Sequence, residues 1–433
     1  MIFKDIAVIN GEFKVLENMC VGVKDDKIAY IGSKMPEWDD ADIYDGRGKL
    51  LLSGFFNAHA HTPMTLLRGY GENLALMDWL NTRIFPFEAK LNGKDIYYAM
   101  LLGIAESLRF GIVSTTDMYF FGEDMARAVI ESGAKNNLSL GITNFGDEDL
   151  YDLKNYKEGK SLFENYHNAG GGRLKIDMCM HAEYTSSEKV VKQMAEHCRS
   201  LGANMHVHIS ETREEHEGCK ARHGGLTPAG YFDSLGLFDS KTTAAHCIWL
   251  EDDDFRIFSE KGVTAATCPK SNLKLASGIC NVPRLIESGI NVALGTDGVS
   301  SNNNLNMLEE MKFFALIHKE QWNDPRIITP EQTLYAATKA GALSQGREDT
   351  GSLKTGMKAD LIAVDITSPY MKPSHSLLNN LIYSASGSDV SLTMADGKVL
   401  YKDGEYKTID IEKVIFETEK SKDRILSELA EIN

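Results

Sequence analysis

Two histidines spaced two apart follow a short apolar segment, and their spacing suits the binding of one metal ion. The segment runs from Leu50 to Phe56, and His59 and His61 come soon after it. Side chains alternate along a β-strand, so both imidazoles leave the same face at the carboxyl end of this strand. Neutral imidazole is a common metal ligand in proteins. The pair therefore predicts half of a metal site, and the other ligands must come from elsewhere in the chain.

Polar side chains also stand at the carboxyl ends of later apolar segments. These residues are His181, His208, His246 and Asp297. Polar residues without a shared function would occur at both ends of the strands. These four residues, like His59 and His61, all lie at the carboxyl ends. The sequence therefore predicts that all of these side chains meet at a single site.

The metal ligands among these residues can be chosen from strand register and residue type. His206 and His208 share a face, and His208, which is nearer the strand end, should reach the site while His206 lies deeper. Asp297 follows a wholly apolar strand, which makes it either a turn residue or a further ligand. With His59 and His61, His208 and Asp297 complete a His₃Asp set for one divalent ion, Zn²⁺ or Fe²⁺, with a position open for water.

Glu211 lies three residues after His208, beyond the predicted end of that strand. There a carboxylate can approach a metal-activated water without coordinating the ion, and it can act as a general acid and base. The alternative is a glutamate in the first turn of the following helix, where the helix dipole favours negative charge. Both interpretations place Glu211 at the same end of the strand as the histidines.

Short apolar segments alternate with amphipathic helical stretches through the middle of the chain, which is typical of an α/β fold. The predicted strands are 50–57, 112–117, 138–145, 174–181, 203–209, 242–247, 263–267 and 291–297. The predicted helices include 95–110, 188–201, 252–261 and 305–318. This pattern matches a closed parallel (β/α)₈ TIM-type barrel better than an open doubly wound sheet, which shares the alternation. In such barrels the chemistry lies at the carboxyl ends of the strands.

The two ends of the chain resemble each other and differ from the middle. Residues 1–49 alternate in the manner of antiparallel strands, and residues 354–409 repeat that texture. Because a sheet needs several strands to be stable, we expect one small β-sandwich lobe built from both termini. Residues 50–353 would form the metal-dependent barrel, and residues 410–433 a C-terminal amphipathic helix.

The composition narrows the classes of partner. The 433 residues carry a formal net charge of -16 without a basic block, which argues against nucleic acid or an anionic membrane and is compatible with a neutral or zwitterionic small substrate. No apolar run approaches the roughly 20 residues that span a bilayer, and the start lacks a signal-peptide layout. The seven cysteines form no CxxC pair. We therefore expect a cytoplasmic protein with free thiols.

The chain resembles the amidohydrolase superfamily in its mononuclear-metal deaminase branch. The motifs that carry this resemblance are His59-x-His61, His208-x-x-Glu211, His246 and Gly295-Thr296-Asp297. Binuclear members bridge two metals with a lysine from the fourth strand. Here that strand ends in His181, and Lys175 lies near its other end, so the resemblance implies one metal, Zn²⁺ above all.

Within that superfamily the chain is similar to the 5'-methylthioadenosine/S-adenosylhomocysteine deaminases. The shared segments are 77–80, 85–88 and 269–276. The resemblance implies that Trp79 lines the substrate pocket, that Glu88 accepts hydrogen bonds from ribose hydroxyls, and that His181 contacts the purine ring. By residue type alone, Trp79 is equally compatible with a core position and Glu88 with a solvated helix.

The chain departs from this family in the third strand–helix region, where the family carries arginines that reach the ribose and the 5' substituent. Residues 136–157 contain no arginine and are acidic at Asp147-Glu148-Asp149. A second departure is Glu183, where the family tends to have proline. The acidic segment is expected to face the variable part of the substrate.

The resemblance implies a hydrolytic deaminase of an adenine nucleoside, namely 5'-methylthioadenosine, adenosine or S-adenosylhomocysteine. The metal would lower the pKa of a water molecule from 15.7 toward about 7. Asp297 would take a proton from that water, His246 would orient it, and Glu211 would protonate ring N1 and help ammonia leave. The product would be the inosine analogue.

Three alternatives stay open at this stage. The same site could act as a deaminase or chlorohydrolase on another purine, a pterin or a triazine, or it could hydrolyse a cyclic amide. A non-catalytic binding protein that retained the fold is the third. The family resemblance is also compatible with a homo-oligomer.

Overall fold

The computed structural model describes residues 1–74 and 76–431, with strands and helices alternating between two strand-rich ends. The strands are β1 (Ile2–Ile9), β2 (Val15–Lys24), β3 (Lys27–Gly32), β4 (Ile43–Asp45), β5 (Lys49–Ser53), β6 (Phe55–Ala60), β7 (Ile112–Tyr119), β8 (Lys135–Leu140), β9 (Leu174–Ile176), β10 (Met178–Cys179), β11 (Met205–Ile209), β12 (Thr242–His246), β13 (Thr264–Thr267), β14 (Val292–Leu294), β15 (Leu361–Asp365), β16 (Val390–Ala395), β17 (Lys398–Lys402) and β18 (Glu405–Tyr406).

Most helices lie between the strands of the middle region. The α-helices are α1 (Leu76–Trp79), α2 (Phe85–Glu88), α3 (Gly93–Arg109), α4 (Gly122–Ser132), α5 (Lys154–Tyr166), α6 (Ala169–Gly172), α7 (Glu188–Leu201), α8 (Arg213–Arg222), α9 (Pro228–Ser234), α10 (Asp252–Lys261), α11 (Pro269–Lys274), α12 (Val282–Glu287), α13 (Met307–Gln321), α14 (Pro330–Ala337), α15 (Lys339–Ser344), α16 (Leu377–Tyr383) and α17 (Ile411–Ala430). Short 3₁₀-helices occur at Thr62–Leu67, Leu150–Asp152, Glu183–Thr185, Leu237–Asp239, Pro369–Met371 and Gly387–Asp389, and a π turn at Leu80–Ile84.

Strands from both ends of the chain join in one sheet. Its order is β18-β17-β16-β15-β5-β1-β2-β3, with β4 beside β1. The link between the two ends is β15, which runs antiparallel to β5. Alternating apolar residues such as Phe3, Val21 and Leu392 bury one face in a core of its own. The predicted lobe built from both termini is confirmed, but the sheet is mixed rather than antiparallel, because β1 is parallel to β4 and β5.

The described strands β6 to β14 form a closed parallel barrel. β9 and β10 are two halves of the fourth strand, since the backbone N–H of Asp177 still donates to Leu138 O at 2.9 Å on one side and that of Met178 donates to Asn204 O at 2.8 Å on the other. The last strand meets the first where the backbone N–H of Asp297 donates to His59 O at 3.0 Å. The predicted (β/α)₈ barrel is therefore confirmed.

The predicted strand 50–57 is wrong in its boundaries, because the structure divides this apolar run between two sheets. Lys49–Ser53 pairs with β1 and β15 in the terminal sheet, and the first barrel strand is Phe55–Ala60. Gly54 makes the turn between them, where an added Cβ would stand 2.5 Å from a methyl carbon of Val113. Both strands are buried, so the apolar pattern continues across the change of partner.

The helices largely follow the predicted stretches. α7 and α10 match 188–201 and 252–261, while α3 begins at Gly93 because Asn92 and Asp95 form a capping box before it. The C-terminal helix is Ile411–Ala430 and packs on α3 through an ion pair of Arg424 with Asp95. The end of its predicted range, residues 432–433, lies outside the described residues. No described helix is long and apolar enough to cross a membrane.

Candidate active site

The barrel brings the predicted metal-binding side chains together at the carboxyl ends of its strands. His59 lies at the end of β6 with His61 directly after it, His208 lies in β11, His246 ends β12, and Asp297 follows β14. Ligand atoms of His59, His61 and His208 lie within 4.8 Å of one another, as do those of His59, His246 and Asp297. The site is thus built from segments up to 238 residues apart in sequence.

Three of the distances between donor atoms of the four predicted ligands match those of a tetrahedral metal site. His61 Nε2 lies 3.4 Å from His208 Nε2 and 3.4 Å from Asp297 Oδ1, and His59 Nε2 lies 3.5 Å from the same oxygen. Tetrahedral donors at the usual Zn–N and Zn–O distances stand about 3.4 Å apart. The residues present therefore fit one divalent ion.

Backbone carbonyls decide which nitrogen of two of these imidazoles is free. His61 Nδ1–H donates to Met118 O at 2.6 Å, and His208 Nδ1–H donates to His181 O at 2.7 Å. A carbonyl only accepts, so the proton lies on Nδ1 in both rings and Nε2 keeps its lone pair. Such outer contacts orient the ligands of metal sites.

His59 is held by a second histidine deeper in the barrel. Its Nδ1 lies 2.9 Å from His206 Nε2, while its Nε2 is buried without a hydrogen-bond partner. Burial lowers the pKa of His59 to about 3, so the ring is neutral. A neutral ring with its proton on Nδ1, shared with His206, offers a buried lone pair at Nε2, and a cation is a favourable partner for that lone pair. His206 therefore orients His59, in agreement with its predicted deeper position.

Asp297 presents one carboxylate oxygen to the histidines and anchors the other. Oδ2 accepts hydrogen bonds from Ser271 Oγ at 2.5 Å and Ser301 Oγ at 2.8 Å, and the backbone N–H of Gly298 donates to Oδ1 at 2.7 Å. Burial would raise the pKa of Asp297, but contact with His59 and the neighbouring histidines hold it well below its usual value. The residue is therefore an anion at neutral pH.

Glu211 and His246 face each other beside the four ligands. Glu211 Oε2 lies 3.8 Å from His246 Nε2, while His246 Nδ1–H donates to Asn272 Oδ1 at 2.9 Å. Burial raises the pKa of Glu211. Burial alone would lower the pKa of His246, but the carboxylates of Glu211 and Asp297 outweigh it and the pKa is raised. This pair can therefore hold and pass a proton next to the metal-binding donors.

Left-handed backbone occurs where several of these strands end. Ser210, His246 and Asp297 have φ values of 49°, 71° and 59°. Such angles are uncommon for residues other than glycine and cost free energy, so the surrounding contacts must impose them. At Ser210 the contact is with Glu215, whose carboxylate accepts from the backbone N–H groups of Ser210 and Glu211 at 2.9 and 2.7 Å. The bent backbone at these strand ends directs the side chains of His246 and Asp297 toward the site.

Gly295 allows the last strand to approach the first metal ligand. A Cβ at this position would stand 2.9 Å from Cys268 Sγ and 2.9 Å from both Cβ and the carbonyl oxygen of His59. Only glycine fits there without a shift of the neighbouring atoms. In the motif Gly295-Thr296-Asp297, the glycine therefore permits the close contact with His59, and the aspartate is a predicted metal ligand.

The pocket beside the donors contains the three residues that the resemblance implies. Trp79 is buried and lines the pocket, as do Glu88 and His181. Glu88 Oε1 accepts a hydrogen bond from Tyr119 Oη at 2.6 Å. The His181 ring lies 4.9 Å from that of His208, and burial lowers the pKa of His181 to about 4, so its ring is neutral. All three line the pocket beside the predicted metal ligands.

The acidic segment is not brought to the pocket. Its carboxylate at Asp149 binds Lys189 at 3.0 Å and accepts from Gln193 at 2.8 Å on the surface. From the same region, Gly141 and Thr143 line the pocket instead. Among the described lining residues there is no lysine or arginine, and many are apolar. The apolar ones include Met64, Leu80, Ile84, Phe85, Phe120 and Leu275.

Glu183, the other departure from the family, forms ion pairs away from the predicted metal ligands. It is buried and binds Arg222 and, at 2.7 Å, His223 Nε2. A buried carboxylate is stable when such partners neutralise it. These contacts tie the turn after β10 to the end of α8.

Several residues with a role at the site were not singled out from the sequence. Ser271 and Asn272 lie inside the segment 269–276, and their polarity next to Pro269 is the only local signal for them. Tyr119 and Tyr184 line the pocket and follow apolar segments, as many structural tyrosines do. Their partners lie far away in sequence, so composition and periodicity could not identify them.

The chain matches a known family and close relatives over nearly its whole length. Residues 50–400 match the model of the amidohydrolase family. A 5-methylthioadenosine/S-adenosylhomocysteine deaminase from Dictyoglomus thermophilum is 42% identical over 422 residues, which cover 97% of this chain and 97% of that protein. A 5'-deoxyadenosine deaminase from Methanosarcina mazei is 41% identical over 407 residues, which cover 94% of this chain and 93% of that protein.

A solved structure shows the same architecture. The crystal structure of an adenosine deaminase from Xanthomonas campestris with bound zinc superimposes with a TM-score of 0.92 and 30% sequence identity. The match covers 98% of this chain and 98% of that chain. Barrel and terminal lobe therefore occur together in a related protein.

Proposed function

This chain belongs to the amidohydrolase family and is a hydrolytic deaminase of adenine nucleosides, and we propose how its own residues divide that chemistry. The observation that carries the proposal is that three pairs of ligand atoms among His59, His61, His208 and Asp297 lie 3.4 to 3.5 Å apart, beside the facing pair of Glu211 and His246. Ligands, an acid–base group and a pocket thus occur at one place.

His59, His61, His208 and Asp297 would hold one divalent ion. Three nitrogens and one carboxylate oxygen suit Zn²⁺, which the zinc in the related adenosine deaminase structure supports. An ion bound there supplies a Lewis acid that lowers the pKa of a water molecule into the neutral range. The fourth strand ends in His181 rather than in a lysine, which supports a single metal.

Three residues of the chain move or hold protons in the proposed reaction. Asp297 accepts a proton from the attacking water, and His246 holds that water by a hydrogen bond. Glu211 protonates N1 of the adenine ring as the water oxygen bonds to C6, and its raised pKa favours the protonated carboxyl that this step needs. The proton held by Asp297 then passes to the amino nitrogen, the C6–N bond breaks and ammonia leaves. The C6 hydroxyl returns a proton to Glu211, which gives the 6-oxo group of the inosine analogue.

The pocket favours a nucleoside whose 5' substituent is uncharged. His181 and Trp79 would contact the purine, and Glu88 the ribose. The described lining beyond them is largely apolar and lacks a cation that could pair with a carboxylate. We therefore propose 5'-methylthioadenosine or 5'-deoxyadenosine as better substrates than S-adenosylhomocysteine. The predicted homo-oligomer and cytoplasmic location stay predictions.

The test is steady-state deamination of adenosine, 5'-deoxyadenosine, 5'-methylthioadenosine and S-adenosylhomocysteine, with metal analysis of the same preparation. We expect ammonia from the first three, the lowest kcat/KM for S-adenosylhomocysteine, and about one zinc per chain. Absence of ammonia from every nucleoside would contradict the reaction. A preference for S-adenosylhomocysteine would contradict the proposed role of the apolar lining.

A further inference from the structure

A buried tyrosine contacts the glutamate that we propose to bind ribose. Tyr119 is the last residue of β7 and is 5% exposed. Its hydroxyl donates to Glu88 Oε1 at 2.6 Å, which is a short hydrogen bond of the kind that charged acceptors form. Among the described residues, Oε1 is the oxygen of Glu88 that has a hydrogen-bond partner, and Oε2 has none.

The tyrosine also favours one protonation state of the glutamate. Burial raises the pKa of Glu88 above its usual value, and the hydrogen bond from Tyr119 opposes part of that rise and so favours the ionised form. Burial and the charge of Glu88 raise the pKa of Tyr119 well above its ordinary value, so the phenol keeps its proton and remains a donor. A carboxylate that is kept ionised can only accept hydrogen bonds, which is what hydroxyl groups of a sugar require.

The same strand end also positions a metal ligand. The residue before Tyr119 is Met118, whose carbonyl oxygen accepts the hydrogen bond of His61 Nδ1 at 2.6 Å. Two adjacent residues of β7 therefore fix His61 and Glu88 relative to each other. The distance from the metal ligands to the sugar-binding oxygen is thus set by rigid backbone rather than by a loop.

We propose that Tyr119 is a positioning residue that determines sugar specificity: it occupies Oε1 of Glu88 and leaves Oε2 as the acceptor for a ribose hydroxyl. The inference rests on the proposed function, because Glu88 matters for specificity only if a nucleoside binds beside the metal. It predicts that the site selects nucleosides with 2' and 3' hydroxyls over analogues that lack those two groups.

The test compares Tyr119→Phe with the wild-type protein on adenosine and on 2',3'-dideoxyadenosine. The phenylalanine keeps the ring and removes only the donor. We expect KM for adenosine to rise about 10-fold with kcat nearly unchanged, since a hydrogen bond to a charged group is lost. KM for 2',3'-dideoxyadenosine should stay within about twofold, because that sugar lacks the 2' and 3' hydroxyls from which Glu88 would accept.

A matched control is Tyr97→Phe, which removes a similar hydrogen bond between Tyr97 Oη and Glu131 at an exposed place outside the pocket. This variant should leave both KM values unchanged. An equal loss on both nucleosides in Tyr119→Phe would indicate a purely structural role and overturn the inference, as would no loss on either. Failure of the proposed function is distinguished beforehand, because the wild-type protein would then release no ammonia from adenosine.

Discussion

The barrel interior contains two buried polar clusters that differ in how their atoms are paired. The metal-site cluster consists of His59, His61, His208, His246 and Asp297 at the carboxyl ends of the strands. The plug cluster, at the opposite end, consists of Ser114, Asn137, Asp177, Gln345 and Arg347. All of these residues are buried except His61, which is partly exposed to the pocket.

In the plug cluster, most donors meet acceptors. Asn137 Nδ2 donates to both oxygens of Asp177 at 3.0 Å, Ser114 Oγ donates to Gln345 Oε1, and Arg347 donates to Asn137 Oδ1 at 3.2 Å. Buried polar groups that pair in this way rigidify a core and need no further partner. The plug cluster therefore closes one end of the barrel.

In the metal-site cluster, acceptors face acceptors. The Nε2 atoms of His61 and His208 carry lone pairs, and Asp297 Oδ1, which lies 3.4 Å from His61 Nε2, carries negative charge. Such an arrangement is unfavourable unless a cation lies between the donors. The comparison teaches that burial of polar groups alone does not mark a functional site, whereas a surplus of aligned lone pairs does.

The change with the largest expected effect is Asp297→Ala, which removes the charged member of the metal-site cluster. Turnover should fall on the order of 10³-fold, because metal stabilisation of the transition state amounts to several kcal/mol. Metal content, measured by atomic emission, should fall as well. A metal-free variant with full activity would refute the site.

The next largest effect is expected for Glu211→Gln, which removes the acid–base group but leaves the ligands in place. Turnover should fall by roughly 10²-fold or more, since the amide cannot transfer the proton to N1. Metal content should match that of the wild-type protein. Unchanged turnover would show that Glu211 has no acid–base role.

A smaller loss is expected for Asn272→Leu, which removes the acceptor that orients His246. Removal of such an outer contact typically lowers activity 10- to 100-fold. We expect the loss in kcat, with KM and metal content unchanged, while Asn272→Asp, which keeps the acceptor, should recover much of it. Equal loss in both variants would mean that the contact with His246 is not the cause.

The smallest effect on activity is expected in the plug cluster, where Asp177→Asn should alter stability instead. Burial raises the pKa of the Asp177 carboxyl group from 3.8 to about 6 in the folded protein. This carboxyl group therefore stabilises the wild-type fold fully when the pH is below its pKa in the unfolded chain, and the stabilisation is lost as the pH rises through 6. The asparagine does not titrate. The free energy of unfolding of Asp177→Asn, relative to that of the wild-type protein, should therefore increase between pH 4 and pH 8, by up to about 3 kcal/mol.

Urea unfolding of both proteins at several pH values measures this difference, and kcat/KM at neutral pH should stay unchanged. A stability difference that is independent of pH would show that Asp177 has an ordinary pKa in the folded protein. A large loss of activity would mean that the two clusters are coupled and that their contrast does not hold.

Much of the site was predictable because alternation along a strand is local. His59, His61, His208 and Asp297 could be assigned to one end of the barrel from apolar patterns alone, and the structure brings them together. The first strand was misplaced at residues 50–57, since a buried run looks the same whether it pairs with the terminal sheet or with the barrel. Sequence pattern reports burial and does not report the identity of the neighbouring strand.

The outer contacts were not predictable. Met118 orients His61, His206 orients His59, and Asn272 orients His246, and these partners are 57, 147 and 26 residues apart. None of them has a residue type or spacing that separates it from structural residues. The left-handed backbone at the strand ends is likewise imposed by distant contacts, such as that of Glu215 with Ser210.

By itself the sequence determined the order of the elements and the face on which each polar side chain leaves its strand, because both follow from covalent geometry and local periodicity. Only the tertiary structure decided that three pairs of the four predicted ligand atoms lie 3.4 to 3.5 Å apart, and which nitrogen of His61 and His208 bears the proton. It also decided that the acidic segment turns away from the pocket and that Tyr119 meets Glu88. Distances across a barrel depend on how its strands close, and closure is a property of the whole packed chain.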